Sequence, residues 1–320
     1  MAGFYLRGHG RWHPCWMPIT QTTRRATAGL LLAAGGAILF ASKGLFAKAL
    51  YAQGVDFRSL TLLRALIALP LFMGLAFQRG LQVGRLPTRA VLCAAFAGVW
   101  CYAVGALIDF HALELIDVSL ERSLLFSYPA IVVLYTAVTT RRFPSRTVVG
   151  AVLMTYIGIL LVVGGFDATA WQRNLGGASM VLFCATTTAT YFLIGERTML
   201  ELGSTGFTII AMVAATMATL LLCLPYHPVD AALRVTARGW LLLTALAVLC
   251  MFLPTLMQAA GIQRIGAVKG ALVSTVGPPA ALLMGALLLG ERPGAAQLAG
   301  TALIVTGIVL IGRAASSGRA

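Results

Sequence analysis

The stretch STVGPPAALLMGALLLGERP, Ser274–Pro293, has a near-twin earlier in the chain: LLFSYPAIVVLYTAVTTRRFP, Leu124–Pro144. At an offset of 149 residues the two share both prolines, Pro129 with Pro278 and Pro144 with Pro293. Only the second copy ends in GERP; Arg142 stands where that copy has Glu291. The same offset superimposes Lys48 on Arg197, Gly54 on Gly203, Ile116 on Ile265, Gly158 on Gly307, Ile159 on Ile308 and Leu161 on Leu310. Leu, Ala and Gly coincide readily in so apolar a chain, but paired prolines and a paired base at one spacing do not. The chain reads as a duplication.

Composition says where the duplicated unit lives. Hydrophobic residues make up 59% of the 320 positions, charged residues 11%, and the mean hydropathy is +0.88. A soluble domain carries about 25% charged residues, so this chain cannot cover a surface in water and reads as a membrane protein. The net charge of +14 comes from bases scattered between apolar runs and not gathered on one face, which argues against nucleic acid as a partner. The six cysteines form no CxxC pair and lie mostly inside apolar runs, as buried thiols do. Residues 1–25 lack the apolar core of a signal peptide. His9, His13 and Cys15 in that tail are too few for a structural metal site. Neither a metal nor a cofactor is implied.

A crossing helix needs about 20 mainly apolar residues. Ten segments qualify: 28–51, 57–77, 90–110, 117–139, 146–165, 175–195, 205–225, 239–260, 266–289 and 294–312. With the N-terminus in the cytoplasm, fifteen Lys and Arg fall on the inner side and five (Arg58, Arg173, Arg234, Arg238, Arg292) on the outer side. The remaining four of the 24 lie inside spans. That bias satisfies the positive-inside rule and puts both termini in the cytoplasm. The expected organisation is an N-terminal tail (1–27), a first five-helix repeat (28–165), a second repeat (166–312) and a C-terminal tail (313–320). Five crossings is an odd number, so the second repeat enters the bilayer upside down. Inverted repeats are a secondary-transporter architecture, with the substrate between the halves and alternating access to either side. Orientation also accounts for the unequal endings. The first ends in the cytoplasm on TTRRFPSR, the second outside, where Glu291 and Arg292 cancel.

The segments ILFASKGLFAKAL, LLRALIALP, SLERSLLFSYPAIVVL and GAVKGALVSTVGPPAALLMGALLLGERP resemble the EamA-type ten-helix carriers of the drug/metabolite transporter superfamily. The resemblance covers about residues 28–312, and its most specific part is the in-span proline followed by LGER. It implies an all-α fold of ten transmembrane helices in two inverted EamA-like repeats. It also implies a bacterial inner-membrane carrier, often an exporter, of amino acids, metabolites or drugs. Lys48, Arg64, Pro129, Pro278 and Glu291 match recurrent positions of the family; Arg141–Arg142 depart from its GE pattern.

Charges inside a span cost about 2.5–3.5 kcal/mol each and call for a partner or a watery cavity. Lys43, Lys48, Arg64, Glu121 and Arg122 occupy one layer near the outer boundary and are the candidate substrate-binding or coupling residues. Their equivalents in the second repeat are Phe192, Arg197, Val213, Gly270 and Ala271, so the polar lining is lopsided. Lys48 and Arg122 are equally read as snorkelling to headgroups. Lys43 and Lys48 stand about 140° apart on a helix, so only one faces a pocket squarely. Four bases against one acid favour a substrate with an anionic group. A proton on Glu121 would compete with its pairing to Arg64 or Lys43, a route to proton coupling. Pro129 and Pro278 are the hinge or cavity-shaping candidates among prolines that interrupt helices. Asp109, His111, Glu114 and Asp117 read as a solvated outer loop.

The sequence holds no HExxH, GxSxG or GxxxxGK[ST] motif and no repeated filter segment, which disfavours an intramembrane enzyme, a nucleotide-driven pump and a channel. The expected partners are therefore a small-molecule substrate, protons and lipid. A ten-helix unit works as a monomer, and lipid-facing GxxxG patterns equally suit a homodimer.

Overall fold

The computed structural model describes residues 19–139, 146–163, 167–226 and 235–316. All regular structure among the described residues is helical. That follows from a lipid solvent, which cannot hydrogen-bond backbone groups and so requires each segment to satisfy its own. In chain order the α-helices are α1 (Ile19–Ala41), α2 (Lys43–Tyr51), α3 (Phe57–Gln78), α4 (Thr88–Gly98), α5 (Ala106–Leu115), α6 (Val118–Leu125) and α7 (Tyr128–Thr139). They continue as α8 (Arg146–Val163), α9 (Ala168–Cys223), α10 (Ala237–Ala247), α11 (Leu253–Ile265), α12 (Ala267–Val273), α13 (Gly277–Leu289) and α14 (Ala295–Ser316). The tail bearing His9, His13 and Cys15, the Arg141–Arg142 pair and the expected repeat boundary at 165/166 lie outside the described residues. Helix α1 already begins at Ile19, inside the expected tail.

Among the described residues, six helices are long and apolar enough to cross a membrane. The longest, within Ala168–Tyr226, holds two crossings that turn at Gly203, whose φ of 68° only glycine adopts without strain. Two shorter apolar helices, within α8 and α14, and the interrupted α6–α7 pair complete ten crossings. The lipid side is apolar: Phe77, Leu200 and Leu287 are 90%, 84% and 73% exposed.

The 149-residue offset is written in the backbone as well as in the side chains. Gly54 (φ 80°) and Gly203 (φ 68°) both take the left-handed region. The third crossing passes through a π-helical segment, Val99–Gly105, between α4 and α5, and the eighth through Val248–Phe252, between α10 and α11. The fourth crossing breaks at Phe126–Ser127 and the ninth at a 3-10 turn, Ser274–Val276. Pro129 and Pro278 are each the second residue of the helix that resumes after the break. The expectation of a proline interrupting a continuous helix is thus corrected. The break precedes each proline, which occupies a first turn whose N–H has no intrahelical partner anyway.

Packing also respects the repeat. Gly158 and Gly307 both lie where α8 meets α14, and a methyl group on either would come 2.6 Å from a backbone oxygen, of Gly300 and Ala151 respectively. Small residues let transmembrane helices approach closely enough for van der Waals contact to hold them. The main core runs between α3, α9 and the third crossing, around Phe72, Tyr191, Phe207 and Met212.

Candidate functional site

The first crossing is broken at Ser42, whose hydroxyl donates back to the Leu39 carbonyl at 2.8 Å. The break puts Lys43 at the start of α2, with its side chain turned inward. It borders a cavity of about 100 Å³. Phe40, Lys43, Arg64, Tyr102, Asp109, Phe110, Arg122, Phe126 and Tyr128 line it from the first repeat; Cys184, Thr187, Tyr191, Phe192, Gln258 and Ser274 close it from the second. Rings meet across the repeats, Tyr102 with Tyr191 at 5.1 Å and Tyr128 with Phe192 at 5.0 Å between centroids.

The charges form a chain. The Lys43 ammonium donates to Asp109 Oδ2 and stands 3.5 Å from Glu121 Oε1. Glu121 Oε2 lies 3.0 Å from Arg122 Nε. Glu121 is wholly buried and does not itself line the cavity; it stands behind Lys43 and Arg122, which do. Arg64 is different. It is 3% exposed, its guanidinium lies 4.5 Å from the centre of the Phe110 ring, and it enters no ion pair with a described residue. Its Nε has no hydrogen-bond partner among them, a property it shares with Arg122 Nε and Nη2, so the missing ion pair is what sets it apart.

Four of the five sequence candidates, Lys43, Arg64, Glu121 and Arg122, therefore meet in one place. Lys48 does not. It is half-buried in the last turn of α2 and absent from the lining. Two expectations need correction. Asp109 is no loop residue but a buried member of α5, which continues the third crossing to Leu115. The balance is consequently three bases (Lys43, Arg64, Arg122) against two acids (Asp109, Glu121), not four against one. Of the two partners expected for Glu121, Arg64 or Lys43, the structure has Lys43, with Arg122 beside it. The sequence did carry a signal for Asp109: apolar residues continue past it at Phe110, Ala112 and Leu113, and its repeat mate is the cavity residue Gln258. Tyr102, Tyr191 and Phe192 were also missed, because one aromatic among many apolar residues has no distinguishing pattern. The neighbours of Asp109 stay outside: His111 Nδ1 and Glu114 Oε2 are 3.2 Å apart and exposed, and Glu114 Oε1 accepts from the Phe57 amide.

Glu291 has a partner that charge cancellation does not explain. Its Oε1 accepts from the Val118 amide at 2.8 Å; its Oε2 accepts from the Ser119 amide at 3.1 Å and from the Ser119 hydroxyl. A carboxylate of the second repeat thus caps the first turn of α6 in the first, where free N–H groups and the helix dipole favour negative charge. Gly285 makes room, since a methyl group there would come 2.8 Å from the Ser119 hydroxyl. At the equivalent start of α12 the carboxylate comes from Glu196, whose Oε1 accepts from the Ala267 amide at 3.1 Å.

The EamA-like transporter family matches this chain twice, over residues 27–164 and 175–313. The chain is 31% identical over 295 residues to "Uncharacterized transporter YcbK" of Bacillus subtilis (strain 168), covering 89% of this chain and 94% of that one. A solved crystal structure is similar at a TM-score of 0.66 over 92% of this chain and 99% of its own; at 18% identity the likeness concerns fold alone.

Proposed function

We propose that this chain, which belongs to the EamA-like transporter family, is a secondary carrier that exports a small molecule across the bacterial inner membrane by alternating access. Both termini are cytoplasmic in this reading, as the distribution of Lys and Arg requires. The observation that carries it is the cavity between the repeats, where Lys43, Asp109 and Arg122 line a space closed by the second repeat. Charges so deep in a membrane protein mark a substrate or ion pathway. The broken crossings supply the moving parts: α2, α7 and α13 each begin at an interruption beside the cavity, with Pro129 and Pro278 stiffening the first turns of the latter two.

Protons are the coupling ion in this proposal. Lys43 is shared between Asp109 and Glu121. A proton taken by either acid shifts the ammonium toward the other and rearranges the charge that faces the cavity. A metabolite and toxin resistance screen on overproducing cells supplies a substrate. Flux of that substrate into proteoliposomes should then saturate and rise with an imposed pH gradient. Non-saturating flux would indicate a channel, and a chemically altered product an enzyme. Glu121→Gln should abolish the stimulation by the gradient while leaving downhill exchange; unchanged pH dependence would remove Glu121 from the coupling.

A further inference from the structure

We infer that the cavity takes a small organic monoanion, its one anionic group held by Arg64 and its apolar body against the rings of Tyr102, Tyr191 and Phe192. The inference rests on the carrier reading and narrows its substrate class. It follows from charge bookkeeping around one cavity. Asp109 and Glu121, which also meet each other, are matched when both are ionised by Lys43 and Arg122. One positive charge is left over, and it is Arg64. A buried guanidinium without a carboxylate is costly, and the Phe110 ring at 4.5 Å offsets only part of that cost. The fork geometry of a guanidinium accepts a carboxylate, or another planar or tetrahedral oxyanion, through two parallel N–H···O bonds. A ligand with one such group brings the site to neutrality.

Other charge types fit worse. A dianion would need Lys43 or Arg122 drawn from its acid. A cation would face Arg64 and find both acids engaged. A zwitterion would leave the surplus charge in place and add an ammonium beside Lys43. Asp109 Oδ1, buried without a hydrogen-bond partner, is served by a neutral donor such as a hydroxyl or water. Beyond Leu125 and Gln258 the rest of the lining is aromatic or small, with Phe192 standing where the first repeat has Lys43, which suits a flat apolar body.

The test uses the purified full-length protein and five probes on one ring: benzoate, benzamide, benzylamine, phenylglycine and phthalate. Thermal unfolding should be delayed by benzoate at concentrations at least tenfold below those the other four require. Arg64→Gln should remove that preference, and Arg64→Lys, which keeps the charge but not the fork, should retain part of it. Benzamide, benzylamine, phenylglycine or phthalate acting as well as benzoate would overturn the inference, as would an Arg64→Gln protein with unchanged selectivity. The wild-type series decides even if Arg64→Gln fails to fold. Proteoliposome flux separates this inference from the carrier reading. Benzoate that binds but is never carried, with no resistance-screen substrate carried either, counts against the carrier. Flux of a cation with no response to benzoate counts against the monoanion.

Discussion

The two repeats agree in backbone and disagree in chemistry. The left-handed glycines, the π-helical segments and the breaks ahead of Pro129 and Pro278 recur 149 residues apart. The charged residues do not: Lys43, Arg64, Asp109, Glu121 and Arg122 correspond to Phe192, Val213, Gln258, Gly270 and Ala271. Folding and rocking ask both halves to bend and pack alike, so the features that shape the helices persist. A binding site asks for one set of charges, and a second copy would add further ionised groups at a cost of about 2.5–3.5 kcal/mol each. A backbone feature of the first repeat that the second lacks, the break at Ser42, is the one that presents Lys43; its counterpart Tyr191 sits inside the unbroken α9.

The largest expected effect tests that asymmetry directly. Asp109→Asn leaves the buried Lys43 with Glu121 at 3.5 Å as its remaining carboxylate and should destabilise the protein by about 3 kcal/mol, with transport lost. Its repeat mate Gln258, which donates to Ser274 at 3.2 Å and to the Ala33 carbonyl at 3.4 Å, should cost only about 1 kcal/mol as Ala. Unfolding in detergent and vesicle flux measure both; equal losses would mean the halves are not chemically distinct. A second comparison tests the symmetry. Gly158→Ala and Gly307→Ala each overpack the α8–α14 contact and should each cost about 1–3 kcal/mol, with similar falls in unfolding temperature. A large difference between the two would show that the pairing of these helices is not shared equally. The smallest effect concerns the caps. Glu291→Ala and Glu196→Ala should each cost about 1 kcal/mol, the ordinary value for a lost helix cap, read as a shift in the thermal midpoint. An unchanged midpoint for Glu196→Ala would show that it does not stand in for the glutamate absent at Arg142.

Most of the fold was legible because a bilayer sets the length of its crossings. Apolar runs such as 57–77 and 175–195 could be counted directly, and they lie within Phe57–Gln78 and Ala168–Cys223. The site was legible only in part. Lys43, Arg64, Glu121 and Arg122 are conspicuous as charges inside spans. Asp109 was lost because a charged residue near the end of an apolar run looks like its boundary. The helix instead continues to Leu115, where only a partner 66 residues earlier in the chain makes the carboxylate tolerable. Glu291 was misjudged for the same reason, since its amide partners lie 173 and 172 residues away. Long-range pairs of single residues leave no local pattern.

The π-helical segment Val99–Gly105 makes the placement of Asp109 depend on reading frame. A π turn holds more residues than an α turn. Running the same residues through an ordinary helix, at about 3.6 per turn, would rotate everything beyond by about 100°. The crossing would still suit the membrane, yet Asp109 would be turned away from Lys43. The bulge begins at the matching residue, Val248, in the second half, so the wide turn belongs to what the two halves share. Side chains that hold this turn open thus decide what faces the cavity without touching it.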